Sequence, residues 1–160
     1  METQPTGGIQ PTSTEAVSIH QEQTTLAEPL TFVVEDDKAN NFLCKMTLEE
    51  VGITNLRMFF RADTTLEELK KMCEGKQEFP SLILLDINMP AMDGWQFLNE
   101  FRNFPDEVRN KTTIYLFSSS DHPNDIEKKQ AYPEVLDFLA KPLSEEVANK
   151  LFDYLLPFAD

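Results

Sequence analysis

Residues 82–86 read Leu-Ile-Leu-Leu-Asp, and the chain runs on as Ile87-Asn88-Met89-Pro90-Ala91-Met92-Asp93-Gly94-Trp95. An apolar run of this length, bounded by turn formers and broken by a carboxylate, predicts a strand buried on both faces, as in a parallel sheet. Asp86 is then the first polar group met as the strand leaves the core. Pro90 keeps the backbone from turning directly into a helix, because the residue before a proline is pushed out of the helical region. Asp93 offers an N-cap, and Gly94 permits a close approach of the chain just before a helix that starts at about Trp95.

The same pattern recurs along the chain. Leu30–Val34 predicts a first strand ending in Glu35-Asp36-Asp37. Asp36 or Asp37 can cap a helix over Lys38–Val51, with Phe42, Leu43, Met46 and Val51 as its inner residues and Gly52 as its stop. Asn55–Phe60 predicts a second strand. Thr64 or Thr65 caps a helix through Cys73, whose buried stripe is Leu66, Leu69 and Met72, and which ends at Gly75. After the third strand, a helix over Gly94–Asn103 turns Trp95, Leu98 and Phe101 inward. Thr112–Phe117 is the fourth strand, followed by a helix from Pro123 or Asn124 to Ala131. Glu134–Ala140 contains the fifth, Val135–Leu139, and Ser144 caps a last helix with Val147, Leu151, Tyr154 and Leu155 inward. Strand and helix alternate five times, which implies an α/β domain: a doubly wound parallel sheet with right-handed crossovers and helices on both faces.

Residues 1–29 differ in kind. They are rich in Thr, Gln, Pro and Ser, with four glutamates and no Lys, Arg or aromatic residue. Such a segment buries too little apolar surface to offset its ordering entropy, so a disordered N-terminal tail is expected, with one domain over residues 30–160. The whole chain carries a net charge of −14. That argues against a nucleic-acid footprint and against attraction to anionic membrane surfaces, and favours a cation or a basic or apolar protein partner. Cys44 and Cys73 fall among apolar helical residues and read as buried, reduced thiols, and His20 and His122 have no ligand-like neighbours. No early apolar run resembles a signal peptide and no stretch is long enough to span a bilayer, so the expected setting is cytoplasmic.

In an open parallel sheet the C-terminal strand ends converge on a crevice where the strand order reverses. Strand one delivers Glu35 and Asp36 there, strand three Asp86, strand four Ser118 and strand five Lys141. Clustered carboxylates without His or Cys favour a hard cation. Mg²⁺ suits a few carboxylates plus waters and phosphate oxygens. Asp36 and Asp86 are the expected direct ligands, with Glu35 acting through water and the main-chain carbonyl of Asn88 completing the set. A carboxylate so placed can act as nucleophile towards a phosphoryl group, while Lys141 and the Ser118 hydroxyl hold the group's other oxygens.

These residues resemble the receiver domain of two-component response regulators, of the stand-alone type. The resemblance rests on Val33-Val34-Glu35-Asp36, on Leu85-Asp86-Ile87-Asn88-Met89-Pro90 with Met92-Asp93-Gly94, on the strand-end Ser118, and on Phe138-Leu139-Ala140-Lys141-Pro142. It covers Leu30 to about Phe158. It implies a flavodoxin-like (βα)5 fold of strand order 2-1-3-4-5, with Asp86 as phosphoacceptor and Glu35 and Asp36 as the Mg²⁺-binding pair. By the same resemblance Asp37 is a variable third acid, Ser118 the switch hydroxyl, Phe138 the aromatic switch residue, Lys141 the site lysine, and Pro142 a proline whose peptide is usually cis. The implied phosphodonor is a histidine kinase or a histidine phosphotransfer protein. The implied output is protein contact through the helix after strand four, strand five and the last helix, without an output domain, DNA binding or membrane attachment. The chain departs from the family's usual Gly-Ala pair before strand five, where it reads Ala131-Tyr132-Pro133-Glu134.

The alternative is a Mg²⁺-dependent phosphatase of the haloacid dehalogenase type, which also uses a strand-end aspartate. That family places a second aspartate two residues after the nucleophile, where this chain has Asn88, and this chain has little room for the usual cap domain.

Overall fold

The computed structural model describes residues 28–118 and 123–158. All but the last two residues of the expected tail lie outside these, as do Ser119, Ser120, Asp121 and His122. Five strands form one parallel sheet: β1 (Thr31–Val34), β2 (Leu56–Phe59), β3 (Leu82–Asp86), β4 (Thr113–Ser118) and β5 (Val135–Ala140). Their order is β2-β1-β3-β4-β5, the flavodoxin-like order implied above. The helices between and after them are α1 (Lys38–Glu50), α2 (Ala62–Glu74), α3 (Gly94–Phe101), the single turn α4 (Asp106–Arg109), α5 (Pro123–Lys129) and α6 (Glu145–Leu155), which runs into a 3₁₀ turn over Leu156–Phe158.

The pleat sorts the strand residues onto two cores. Phe32, Val34, Ile83, Leu85, Ile114 and Leu116 face the side covered by α2 and α3, where Leu66, Leu69, Met72, Leu98 and Phe101 pack. Val33, Leu82, Leu84 and Phe117 face the other side, against Cys44 and Leu48 of α1 and Ala148, Leu151 and Leu155 of α6. Alternate residues of one strand thus enter different cores, which is why the central strands read as unbroken apolar runs. The register Val34 opposite Leu85 and Asp86 opposite Phe117 brings the ends of β1, β3 and β4 level.

Three local expectations need correction. Phe42, Leu43 and Met46, expected on the inner face of α1, are 60%, 51% and 42% exposed, and the buried residues of that helix are Asn41, Cys44 and Leu48. Helix α2 starts at Ala62, with Arg61 rather than a threonine at its N-cap. Thr65 is buried inside the first turn, and its hydroxyl donates to the Arg61 carbonyl at 2.7 Å. The turn α4 has no counterpart in the sequence reading. Elsewhere the capping chemistry is as read: Ser144 accepts from the Val147 N–H, and Asp93 caps α3 in a reciprocal box with Gln96. The Lys141–Pro142 peptide is cis.

Candidate functional site

Glu35 and Asp86 leave the sheet side by side because β1 and β3 are neighbours whose registers end together. Both are only 3% exposed. Asp36 follows in the β1–α1 loop, where Asp37 caps α1 by accepting from the Asn40 N–H at 2.9 Å. The acid that caps and the acids that cluster are therefore different residues. One carboxylate oxygen each from Glu35, Asp36 and Asp86 lie within 4.8 Å of one another.

Lys141 crosses from the end of β5 into this cluster. Its ammonium lies 3.0 Å from an Asp86 carboxylate oxygen and 3.0 and 3.2 Å from the two oxygens of Glu35. The chain is held there from behind, since the Lys141 N–H donates to the Ser118 carbonyl at 3.3 Å. Ser118 is itself buried at the end of β4. The Asn88 N–H donates to Asp86 Oδ1 at 3.2 Å, which keeps that peptide beside the carboxylate. Gly94 closes the loop. Its N–H donates to the Ile87 carbonyl at 2.8 Å, and a Cβ at this position would lie 2.8 Å from the Asp86 carbonyl oxygen and 2.9 Å from Ile87 Cα. No side chain fits there, so glycine sets how closely the start of α3 approaches the strand end.

The charges are unbalanced: among the described residues three carboxylates face one ammonium. Burial, and then the hydrogen bond with Asp86, push the Glu35 carboxyl up to about 7, against the opposing pull of Lys141. Burial and Asp86 raise Asp36 as well. For Lys141 burial works to lower the pKa, but the hydrogen bonds to Asp86 and Glu35 outweigh it and the net shift is upward. Crowded carboxylates that resist ionisation are a site short of positive charge. The donor set is all oxygen, which suits a hard divalent cation such as Mg²⁺. Cys44, behind the cluster, takes no part: burial first, and Glu35 second, push its thiol up to about 12, leaving it a packing residue.

The structure thus brings Glu35, Asp36, Asp86, Ser118 and Lys141 to one edge of the sheet, as the strand-end argument required. Phe138 lies on β5, partly buried against the core shared with α2 and α3. Sequence reasoning missed Asn41. Its side-chain amide donates to the Glu35 carbonyl at 3.1 Å and to the Phe59 carbonyl at 3.2 Å. A signal was present, because Asn41, Cys44 and Leu48 stand at i, i+3 and i+7, one face of a helix.

A parallel sheet of order 2-1-3-4-5 with an acidic cluster and a lysine at its C-terminal edge defines a doubly wound α/β domain built around a strand-end carboxylate. Residues 31–152 match the response regulator receiver domain, and the chain belongs to that family. Membership decides against the phosphatase alternative. The probable methanogenesis regulatory protein FilR2 of Methanothrix harundinacea is 28% identical over 116 residues, 71% of this chain and 72% of that protein. The sensor protein GacS of Pseudomonas syringae is 28% identical over 120 residues, which are 73% of this chain but only 12% of GacS. Among solved structures, a two-component response regulator from Cytophaga hutchinsonii superposes with a TM-score of 0.73 at 26% identity, covering 82% of this chain and 98% of that one. Among the described residues no helix is long and apolar enough to cross a membrane.

Proposed function

We propose that this chain is the phosphoacceptor of a two-component phosphorelay, and that Asp86 takes a phosphoryl group from a histidine kinase or a histidine phosphotransfer protein. An Asp86 carboxylate oxygen attacks phosphorus, the bond from phosphorus to the donor's imidazole nitrogen breaks, and the imidazole keeps the electron pair and recovers a proton. The product is an aspartyl phosphate. Asp36 and Asp86 would hold Mg²⁺ directly, Glu35 through water, and Asn88 through its main-chain carbonyl. Mg²⁺, when bound, supplies neutralising charge for the transferring group. Lys141 holds a phosphoryl oxygen in exchange for part of its present pairing, and the Ser118 hydroxyl donates to another.

The observation that carries this reading is the cluster of three carboxylates within 4.8 Å, short of positive charge. The donor's histidine must come down onto Asp86, and an exposed apolar surface beside the site supports a docking place for it. Phe42, Leu43 and Met46 stand outward on α1, and Leu43 lines a small cleft with Glu35, Lys141 and Pro142. Once phosphorylated, Ser118 and Phe138 relay the change to the face made by α5, β5 and α6, where Ile126 and Leu136 are exposed for a protein partner. Water attack on the aspartyl phosphate resets the chain, so it signals rather than turning over as an enzyme. The setting is cytoplasmic.

The test is intact mass after incubation with acetyl phosphate and Mg²⁺. One added phosphoryl group, absent without Mg²⁺ and absent in Asp86→Ala, is the expected result. A gain that survives Asp86→Ala names another nucleophile, and no gain in the native protein from either acetyl phosphate or a phosphohistidine donor removes the reading.

A further inference from the structure

The way α1 sits on the sheet is the reverse of what its sequence favours. The helix offers Phe42, Leu43 and Met46 as an apolar stripe, yet it is turned so that Asn41, 4% exposed, faces the sheet instead. Burying an amide costs free energy unless its hydrogen bonds are remade inside. Here they are. The Nδ2 group has two hydrogens and two acceptors: the Glu35 carbonyl at 3.1 Å and the Phe59 carbonyl at 3.2 Å.

These two carbonyls mark where the ladder between β1 and β2 ends. Its last rung is the Glu35 N–H donating to the same Phe59 carbonyl at 3.0 Å. Beyond it the two chains part, β1 into the acidic loop and β2 towards α2. Glu35 and its carbonyl are buried at this fork, and a buried carbonyl needs a donor. The Asn41 amide supplies one, and it joins the ends of the two strands through a single side chain.

The fork also carries the acidic pair of the site. Glu35 and Asp36 point at Asp86, and all three carboxylates repel one another. The Lys141 ammonium lies 3.0 Å from Glu35 and 3.0 Å from Asp86, so one positive charge faces a cluster of three carboxylates. Repulsion drives the Glu35–Asp36 peptide away from β3. The Asn41 amide opposes this by fixing the carbonyl of that same peptide unit.

We infer that Asn41 is a positioning residue for cation binding: its amide, bridging the Glu35 and Phe59 carbonyls, holds the acidic pair against its own repulsion in the arrangement that receives Mg²⁺. This rests on the reading of Glu35 and Asp36 as the Mg²⁺-binding pair. It touches neither cation nor phosphoryl group, so its effect belongs to the affinity of the unphosphorylated protein for Mg²⁺.

The experiment is calorimetric titration of the full chain with Mg²⁺ alone, paired with urea unfolding. Five proteins are compared: native, Asn41→Leu, Asn41→Ser, Leu48→Val and Asp36→Ala. Asn41→Leu keeps the branched shape, in a somewhat larger side chain, and removes both donors, and Leu48→Val weakens packing two turns along the same buried face. The expected result is a Kd for Mg²⁺ raised about 10-fold in Asn41→Leu, the size of losing one or two well-placed hydrogen bonds. Leu48→Val should stay within about twofold of native, even though it too lowers stability. Asn41→Ser keeps one donor and should fall between native and Asn41→Leu. It carries the test alone if the leucine variant does not fold. If Asp36→Ala loses Mg²⁺ while the Asn41 variants bind like native, the positioning role is overturned and the metal site stands. If Leu48→Val weakens binding as much as the Asn41 variants, the effect is general loosening of α1 and the role is overturned. If the native protein binds no Mg²⁺, or Asp36→Ala binds it unchanged, the metal reading falls and the positioning role with it.

Discussion

Helices α1 and α3 both begin just after a strand-end carboxylate, and they are held in opposite ways. Helix α3 has eight residues, of which Gly94, Trp95, Phe97, Leu98 and Phe101 are buried. Its start is fixed by a reciprocal capping box and by the Gly94 approach to Asp86. Helix α1 has thirteen residues and buries only Asn41, Cys44 and Leu48. One helix is seated by apolar packing alone and the other by Cys44 and Leu48 together with a buried amide, and of the two only the second leaves large apolar side chains in solvent. The difference separates two tasks. Around Asp86 the backbone is set by the core, whereas on the other side of the cluster a polar clamp sets it and frees an apolar surface beside the site.

The first way to break this comparison is by stability. Phe101 has no exposed surface and packs ring to ring with Phe97 and Phe104 at centroid distances of 6.1 and 5.7 Å. Phe101→Ala should cost about 3–5 kcal/mol of unfolding free energy, the range for emptying an aromatic site in a close-packed core. Phe42→Ala should stay within about 0.5 kcal/mol of native, as surface substitutions do. Urea unfolding of the two variants checks both. A cost for Phe42→Ala near that of Phe101→Ala would mean that α1 is turned the other way in solution.

The two helices also differ in how far the sequence disclosed them. Asp86, Gly94 and the Asp93 cap were legible because each follows from a local rule: an apolar run broken by a carboxylate, a loop needing a residue without Cβ, a cap before a helix. Lys141 and Ser118 were legible through topology, since parallel strands bring their C-terminal ends to one edge. The facing of α1 was not. Phe42, Leu43 and Met46 outrank Asn41, Cys44 and Leu48 on hydrophobicity, and hydrophobicity is what a periodic reading weighs. What decides the matter is a carbonyl left at the end of a strand, which appears only once β1 and β2 are paired. The start of α2 misled for a related reason. Thr65 resembled an N-cap, but its hydroxyl bonds back to the Arg61 carbonyl within the first turn. The turn α4 is too short for any periodicity, although Pro105-Asp106-Glu107 carries the proline and acids of a helix start.

The acidic cluster between the two helices supplies the second test. In the unfolded chain Glu35 ionises near its ordinary value of 4.5, whereas in the folded chain it ionises at about 7. Between those values the folded protein holds a proton that the unfolded chain has lost. This group therefore withdraws stability as the pH rises from about 4.5 to about 7. A bound cation reverses that effect, because it favours the ionised carboxylates and competes with the proton. Saturating Mg²⁺ should therefore raise the melting temperature by at least about twice as much near pH 7.5 as near pH 5.5, by mass-action stabilisation of the folded state. Thermal unfolding with and without Mg²⁺ at the two pH values reads this directly. Equal gains at both would show that Glu35 does not titrate in that window, and the imbalance of charge described above would be wrong.

The smallest effect bears on what the freed face of α1 is for. Phe42, Leu43 and Met46 contribute little to folding, so their use must be sought in contact with another protein. Acetyl phosphate reaches Asp86 without touching α1, whereas a protein donor must cover the rim of the site to bring its histidine down to the carboxylate. Replacing Phe42 by alanine should then lower the rate of phosphoryl transfer from a phosphohistidine protein about fivefold relative to the rate from acetyl phosphate. That corresponds to about 1 kcal/mol, ordinary for one truncated aromatic at the edge of an interface. The ratio of the two rates is the informative quantity, since it cancels any change in Asp86, Lys141 or Mg²⁺ affinity. A ratio equal to that of the native protein, with Leu43→Ala and Met46→Ala behaving alike, would move the donor's docking place off α1. The polar clamp would then have turned the helix for the sake of the acidic pair alone.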